Sequence, residues 1–152
     1  MSSESDRLEG ILKNARPEDA GRILREHDSE LFEPGESFSA YMRCMLRKKG
    51  LRQQEVFLKA DISEGYGYKL ISGEKRTRRR DTLLRIFFAA GFTLEEANHA
   101  LRLCEMPTLF SHFPRDAILM IAFSSGICDP AVVDELLTGH GMEPLLASRS
   151  AE

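Results

Sequence analysis

The chain of 152 residues contains no tryptophan, and it has no hydrophobic run long enough to cross a membrane. Its longest uninterrupted apolar segment, Ala117 to Phe123, is seven residues long, whereas a spanning helix needs about 20. The N-terminus has neither the basic region nor the apolar stretch of a secretory signal. We therefore expect a cytoplasmic protein with no membrane partner.

Residues that hold metals or perform catalysis are also scarce. The three cysteines, Cys44, Cys104 and Cys128, are odd in number and widely spaced, which argues against a disulfide framework and a cysteine-based zinc site. The four histidines lie in different segments, without ligand spacing. No phosphate-binding glycine loop and no arrangement of nucleophile and base can be identified. The sequence predicts no metal, no cofactor and no enzymatic activity.

Positive charge is concentrated in the middle of the chain. Residues 38–80 carry 12 basic and 4 acidic side chains, a net charge of +8. Residues 1–37 have a net charge of −5, and residues 81–152 have a net charge of −6. A basic centre between acidic flanks is typical of a nucleic-acid contact surface. The alternative is a solvated basic face that binds no nucleic acid.

The spacing of the apolar residues predicts helices throughout, so the expected fold class is all-α. The pattern divides the chain into an acidic helical extension at 1–36, a central domain at 37–106 and a C-terminal hairpin at 107–152. Ser37 is expected to cap the first helix of the central domain. Thr93 and Glu96, three residues apart, predict a capping box further along.

A recurrence links the central domain to the C-terminal hairpin. The segment "RDTLLRIFFAAGF" at 80–92 matches "RDAILMIAFSSGI" at 115–127 with an offset of 35. After a slip of one residue the match resumes with an offset of 36, and it pairs Asn98 with Asp134 and Leu109 with Leu145. A period of this length predicts one helical hairpin used twice, with the second stacked beside the first. The alternative is that two amphipathic hairpins share apolar positions by chance.

The segment "LRQQEVFLKADISEGYGYKLISGEKR" at 51–76 predicts two short helices joined by a tight turn. It resembles, without a gap, the helix-turn-helix of Xre/Cro-type repressors: Gln53 opens the first helix, Ser63 caps the second and Gly73 closes it. The whole chain is also similar to a bacterial group of such regulators with acidic N-terminal helices, a "Y-G-Y" segment and a repeated "R-D" hairpin. The resemblance implies a repressor-like five-helix domain at 37–106 that binds double-stranded DNA, usually as a homodimer.

The resemblance further implies a recognition helix at about 63–71 in the major groove and a basic loop at 75–80 on the phosphates. The residues expected at this DNA interface are Gln53, Ser63, Glu64, Gly65, Tyr68, Lys69, Lys75, Arg76, Arg78 and Arg79. Gln53 and the loop would contact phosphates, which supply affinity, and the exposed face of the recognition helix would supply specificity.

Two departures from the family pattern need an explanation. Phe57 stands where a small residue is usual, and Gly67 stands where a branched apolar residue is usual. We interpret the two as a volume exchange, in which the Phe57 ring fills the space left by Gly67. The second departure is Glu64, which could accept a hydrogen bond from cytosine or compensate the helix dipole.

A protein-interaction adaptor that keeps this fold without reading DNA is the competing hypothesis, and Glu64 and the acidic flanks favour it. Tyr66 and Tyr68 lie two residues apart, so one should pack inward and the other should be exposed. The exposed tyrosine could contact DNA or anchor a protein partner. The contact between two copies is expected in the N-terminal helices or, preferably, in the C-terminal hairpin.

Overall fold

A computed structural model describes residues 4–31 and 34–146, and the described residues form helices and no strand, as the sequence predicts. The chain divides into two compact units, Met1–Glu33 and Pro34–Glu152. None of the described helices is both long enough and apolar enough to cross a bilayer.

The N-terminal unit contains α1 (Glu4–Asn14) and α2 (Ala20–Glu26), with short 3-10 turns at Pro17–Asp19 and Asp28–Glu30. Within this unit, Arg7 Nη2 lies 3.1 Å from Glu30 Oε1. The hydrogen bond between His27 and the Glu30 carboxylate is the main reason that the pKa of Glu30 lies below its usual range. The contact between Arg7 and Glu30 joins the two ends of the unit.

The larger unit contains seven helices in its described part: α3 (Pro34–Lys48), α4 (Gln53–Ala60), α5 (Glu64–Ser72), α6 (Arg80–Ala89), α7 (Leu94–Leu103), α8 (Pro114–Ser124) and α9 (Pro130–Gly139). One hydrophobic cluster runs through all of them, from Phe38 on α3 to Leu145 after α9. The predicted Ser37 cap is wrong, because α3 begins three residues earlier, at Pro34. The fixed φ of proline suits the first turn of a helix.

The other helix boundaries follow local chemistry. The Thr93 hydroxyl accepts from the Glu96 N–H at 3.1 Å and the Glu96 carboxylate accepts from the Thr93 N–H at 2.9 Å, which confirms the capping box. The Asp129 carboxylate caps α9 by accepting from the Ala131 N–H. Gly73 ends α5 with φ +84°, a conformation that glycine adopts at little cost.

The first five helices of this unit pack around a shared centre. α3 contacts α5 and α7, while α4 contacts α5 and α6. Lys49, just after α3, lies 3.0 Å from the Glu96 carboxylate and donates to the Gly91 carbonyl at 3.3 Å. Partial burial by itself raises the pKa of Glu96, but the hydrogen bonds from Thr93 and Lys49 outweigh it, so the net pKa lies below its usual range. This contact fastens α3 to the α6–α7 turn.

The two matching segments of the recurrence contact each other reciprocally. Arg80 at the start of α6 binds Asp116 on α8, with Nη1 3.2 Å from Oδ2. Arg115 at the start of α8 binds Asp81 on α6 through two hydrogen bonds of 2.9 Å. α6 also packs against α9, as α7 does against α8. Each motif thus makes to the other the same contacts that the other makes to it, as expected for two motifs related by a local two-fold axis.

Backbone contacts repeat in the same way. The Leu109 N–H donates to the Asn98 side chain at 3.0 Å, and the Leu145 N–H donates to the Asp134 carboxylate at 2.6 Å. Both bonds fasten the chain that follows a hairpin onto the hairpin's second helix. Desolvation is the main cause of the raised pKa of Asp134. The equivalent rings of Phe88 and Phe123 stack on each other with centroids 3.7 Å apart.

Candidate nucleic-acid interface

A turn of three residues, 61–63, sets the angle between α4 and α5. Asp61 adopts the left-handed conformation at φ +56°, which aspartate tolerates better than most residues. Ile62 is buried, and its N–H donates to the Phe57 carbonyl at 3.0 Å. The Ser63 hydroxyl accepts from the Tyr66 N–H at 3.4 Å, which confirms Ser63 as the cap of α5. The turn is therefore fixed by the buried Ile62 side chain and by the Ser63 cap at the start of α5.

Phe57 and Gly67 fit together as the volume exchange predicts. The Phe57 ring is fully buried, and Gly67 is buried against it. A Cβ atom added at Gly67 would lie 2.6–2.7 Å from three atoms of that ring, closer than real Cβ contacts come. α4 and α5 can approach this closely only because Gly67 has no side chain.

The two tyrosines of α5 divide as expected. Tyr66 is half-buried and packs against the core, whereas Tyr68 is 41% exposed. The Tyr68 ring meets the Phe57 ring edge to face, with centroids 5.1 Å apart, a favourable aromatic geometry. The Tyr68 ring therefore packs on Phe57 and remains partly open to solvent.

A shallow open depression brings together Gln53, Gly65, Tyr68 and Lys69, four of the predicted interface residues. Arg43 on α3 lies at the same depression. Sequence reasoning missed Arg43, because only the packing of α3 against α5 brings the two helices together. Apart from its chain neighbours and the backbone of α5, nothing lies within 4 Å of where a Cβ would be on Gly65, so a ligand has room to approach the α5 backbone.

The remaining predicted residues of α5 lie at its start. Ser63 and Glu64 are exposed there, and neither lines the depression. Glu64 is in the first turn, where a carboxylate is favoured by the helix dipole. Glu74 is a second exposed acid near α5, and it does line the depression. The surface around α5 is therefore of mixed charge and is not uniformly basic.

The basic loop after α5 is anchored on apolar residues. The Lys75 N–H donates to the Lys69 carbonyl at 3.0 Å, and the Thr77 hydroxyl accepts from the Arg79 N–H at 3.1 Å. Lys75 and Arg76 line one side of a cavity of about 50 Å³. Its apolar wall is formed by Phe38, Leu70, Leu83, Leu103 and Cys104. Burial raises the pKa of the Cys104 thiol to about 12, so this thiol is neutral at physiological pH.

The cationic groups of this loop differ in accessibility. Lys75, Arg76 and Arg78 are exposed, whereas Arg79 is half-buried. Arg80, the last residue of the predicted loop, is paired with Asp116 and begins α6. The accessible positive charge of the loop therefore lies at 75–78.

The described residues contain no group of three or more histidine, cysteine or acidic side chains that could hold a metal ion. Comparison with known protein families, with curated proteins and with solved structures finds no match to this chain.

Proposed function

We propose that this protein is a cytoplasmic, sequence-specific regulator of transcription that binds double-stranded DNA. In this proposal α3–α7 form a repressor-like five-helix helix-turn-helix domain, and α5 lies in the major groove. The observation that carries the proposal is the exposed side of α5. There Tyr68 and Lys69 share a depression with Arg43 and Gln53, beside a loop of exposed cations at 75–78.

The exposed groups divide naturally into two kinds of DNA contact. Arg43, Lys75, Arg76 and Arg78 are suited to phosphates, because each is an exposed cation. Lys69 can donate to the acceptor pair of guanine, and Tyr68 can contact a thymine methyl group. Gly65 lets the backbone of α5 come close to a base edge. Two copies on adjacent half-sites, with no cofactor and no catalytic step, complete the proposal.

A protein-interaction adaptor is the second candidate. It is favoured by the exposed acids at the same surface, Glu64 and Glu74, because a carboxylate near phosphates is unfavourable unless it pairs with a base. In an adaptor the exposed Tyr68 ring would be an anchor for a partner. The two candidates therefore differ in whether duplex DNA or an aromatic anchor dominates binding.

Selection from a pool of random duplexes tests the proposal. The wild-type protein is expected to enrich one sequence motif within a few rounds. The variant Lys69→Ala should lose its base preference at one position of the motif. Its binding free energy for the wild-type motif should weaken by about 1–3 kcal/mol. Arg78→Ala should weaken binding to all sequences alike, because phosphates carry no sequence information.

Lys13→Ala is the matched control, since it removes an exposed lysine from the N-terminal unit. It should leave both the motif and the affinity unchanged. If the duplexes selected by the wild type showed no more sequence preference than the starting pool, sequence-specific DNA binding would be contradicted. If Tyr68→Ala then abolished capture of a protein partner, the adaptor would replace the regulator.

A further inference from the structure

The two halves of the recurrence differ in how one equivalent face is covered. On α6 and the residue that follows it, this face consists of Thr82, Leu83, Ile86, Ala89 and Ala90, and every one of them is buried. The equivalent residues 35 positions later are Ala117, Ile118, Ile121, Ser124 and Ser125, which we call the α8 face. None of these five is buried, and Ile121 is 60% exposed where Ile86 is 0% exposed.

Several helices together bury α6, and α4 is one of them. α4 packs on α6 and contributes the buried side chains Val56, Phe57 and Ala60, at i, i+1 and i+4. Its other side is open to water, with Leu58 and Lys59 exposed. A short amphipathic helix is therefore what this kind of face binds when it is covered. The α8 face presents the exposed Ile121 and the part of Ile118 that the core leaves uncovered, and Ser124 and Ser125 allow close approach.

The charge around the α8 face indicates the charge of its partner. Arg115 at the start of α8 is paired with Asp81, and residues 116–146 contain no lysine or arginine. Of their acids, Asp116 is bound to Arg80 and Asp134 accepts from the Leu145 N–H. Glu135 and Glu143 are exposed. Two copies joined through this region would bring like charges together, which argues against the dimer contact that the sequence favoured in the C-terminal hairpin, whereas a basic partner would be complementary.

We propose that the α8 face binds a basic amphipathic helix of a partner protein, in the position that α4 occupies on α6. The partner helix carries small or aromatic apolar residues at i, i+1 and i+4 on one side and lysine or arginine on the other. This interaction uses neither α5 nor the basic loop, so it does not depend on DNA binding.

Display of a library of helical peptides against the full-length protein tests this proposal. We expect enrichment of basic sequences with the i, i+1, i+4 apolar pattern. The affinity of a synthetic peptide of the enriched sequence should fall at least about tenfold with Ile121→Glu, since one contact of about 1.4 kcal/mol corresponds to that factor. Thr138→Glu, which adds the same charge at an exposed position of α9, should leave the affinity unchanged.

Ile121 is largely exposed, so Ile121→Glu is expected to fold normally, and thermal unfolding followed by circular dichroism checks this. Enrichment of acidic peptides, no enrichment at all, or binding that ignores Ile121→Glu would each overturn the proposal. Sedimentation provides a further test. A wild-type dimer that Ile121→Glu converts to a monomer would assign the α8 face to a second copy instead, and would also overturn it.

Discussion

The hairpins α6–α7 and α8–α9 begin with the same Arg-Asp pair and bend at equivalent glycines, but they lie in different surroundings. α6 is buried from Thr82 to Ala89, whereas α8 leaves Ile121 60% exposed. The ion pairs and turns are equivalent in both, because they depend on residues within the repeat. Burial differs because it depends on the neighbouring helices, and α6 has α4 packed on it.

This difference shows how one motif can serve two purposes. The first copy supports the helices that position α5, and the second copy presents a similar surface to solvent. Exposed apolar side chains are ordinary when single. An exposed isoleucine at a position whose equivalent is fully buried is more informative, because the chain itself shows what can cover it.

The largest expected effect compares the two equivalent isoleucines. Ile86→Ala should lower the free energy of unfolding by about 3–4 kcal/mol, because it opens a cavity in a closed core. Ile121→Ala should change it by less than about 0.5 kcal/mol, since its side chain is mostly in water. Urea denaturation of both variants measures the difference. Similar losses at the two sites would show that the hairpins are covered alike.

The reciprocal ion pairs offer a second comparison. Asp116 has a side chain that is 4% exposed and also accepts from the Phe110 N–H at 2.9 Å, whereas Asp81 is 26% exposed. Asp116→Asn is expected to destabilise the protein by about 2–3 kcal/mol, because it leaves the Arg80 guanidinium partly buried without its charge partner. Asp81→Asn should cost less than about 1 kcal/mol. Equal losses in urea denaturation would contradict the unequal burial.

The same contrast between covered and open positions occurs within α5. Gly67→Val should lower the free energy of unfolding by about 1–3 kcal/mol, because the new side chain meets the Phe57 ring. Gly65→Ala should raise it by up to about 1 kcal/mol, since Gly65 is open to solvent and alanine favours the helix. Adding Phe57→Leu to Gly67→Val should recover part of the loss. A fully stable Gly67→Val variant would show that the two helices are not held at this distance by Gly67.

The smallest expected effect is on the pH dependence of stability, and it comes from Tyr41, where α3 packs against α7. The Tyr41 ring lies 4.7 Å from that of His99. Burial, aided by the charge of Glu96, raises the pKa of Tyr41 to about 12, against about 10 in an unfolded chain. The neutral phenol is therefore favoured in the folded state. Its contribution to stability is complete below pH 10 and is lost as the pH rises from 10 to 12.

Urea denaturation at several pH values between 9 and 12 measures this loss. The wild type should lose stability more steeply over this range than Tyr41→Phe, which has no hydroxyl to ionise. Parallel curves for the two proteins would show that Tyr41 is not protected by its surroundings.

Much of the helical pattern could be predicted because its signals are local. The Ser63 cap, the capping box at Thr93 and the Phe57–Gly67 exchange each depend on residues close in sequence, and the structure confirms all three. The place of Arg43 at the depression beside α5 could not be predicted, since it depends on how α3 packs against α5. The pairing of Arg80 with Asp116 was hidden for the same reason, as it joins residues 36 apart.

The measurement that most directly tests the proposed function is the salt dependence of binding to duplex DNA. Fluorescence anisotropy on a labelled duplex pool would compare the wild type with Lys75→Ala/Arg76→Ala/Arg78→Ala. The control, Arg16→Ala/Arg22→Ala/Arg25→Ala, removes three exposed cations from the N-terminal unit. We expect the wild type and the control to lose about 10³–10⁵ in affinity between 50 and 200 mM salt, and the loop variant to lose less. No binding at low salt, or the same slope for all three proteins, would contradict the account.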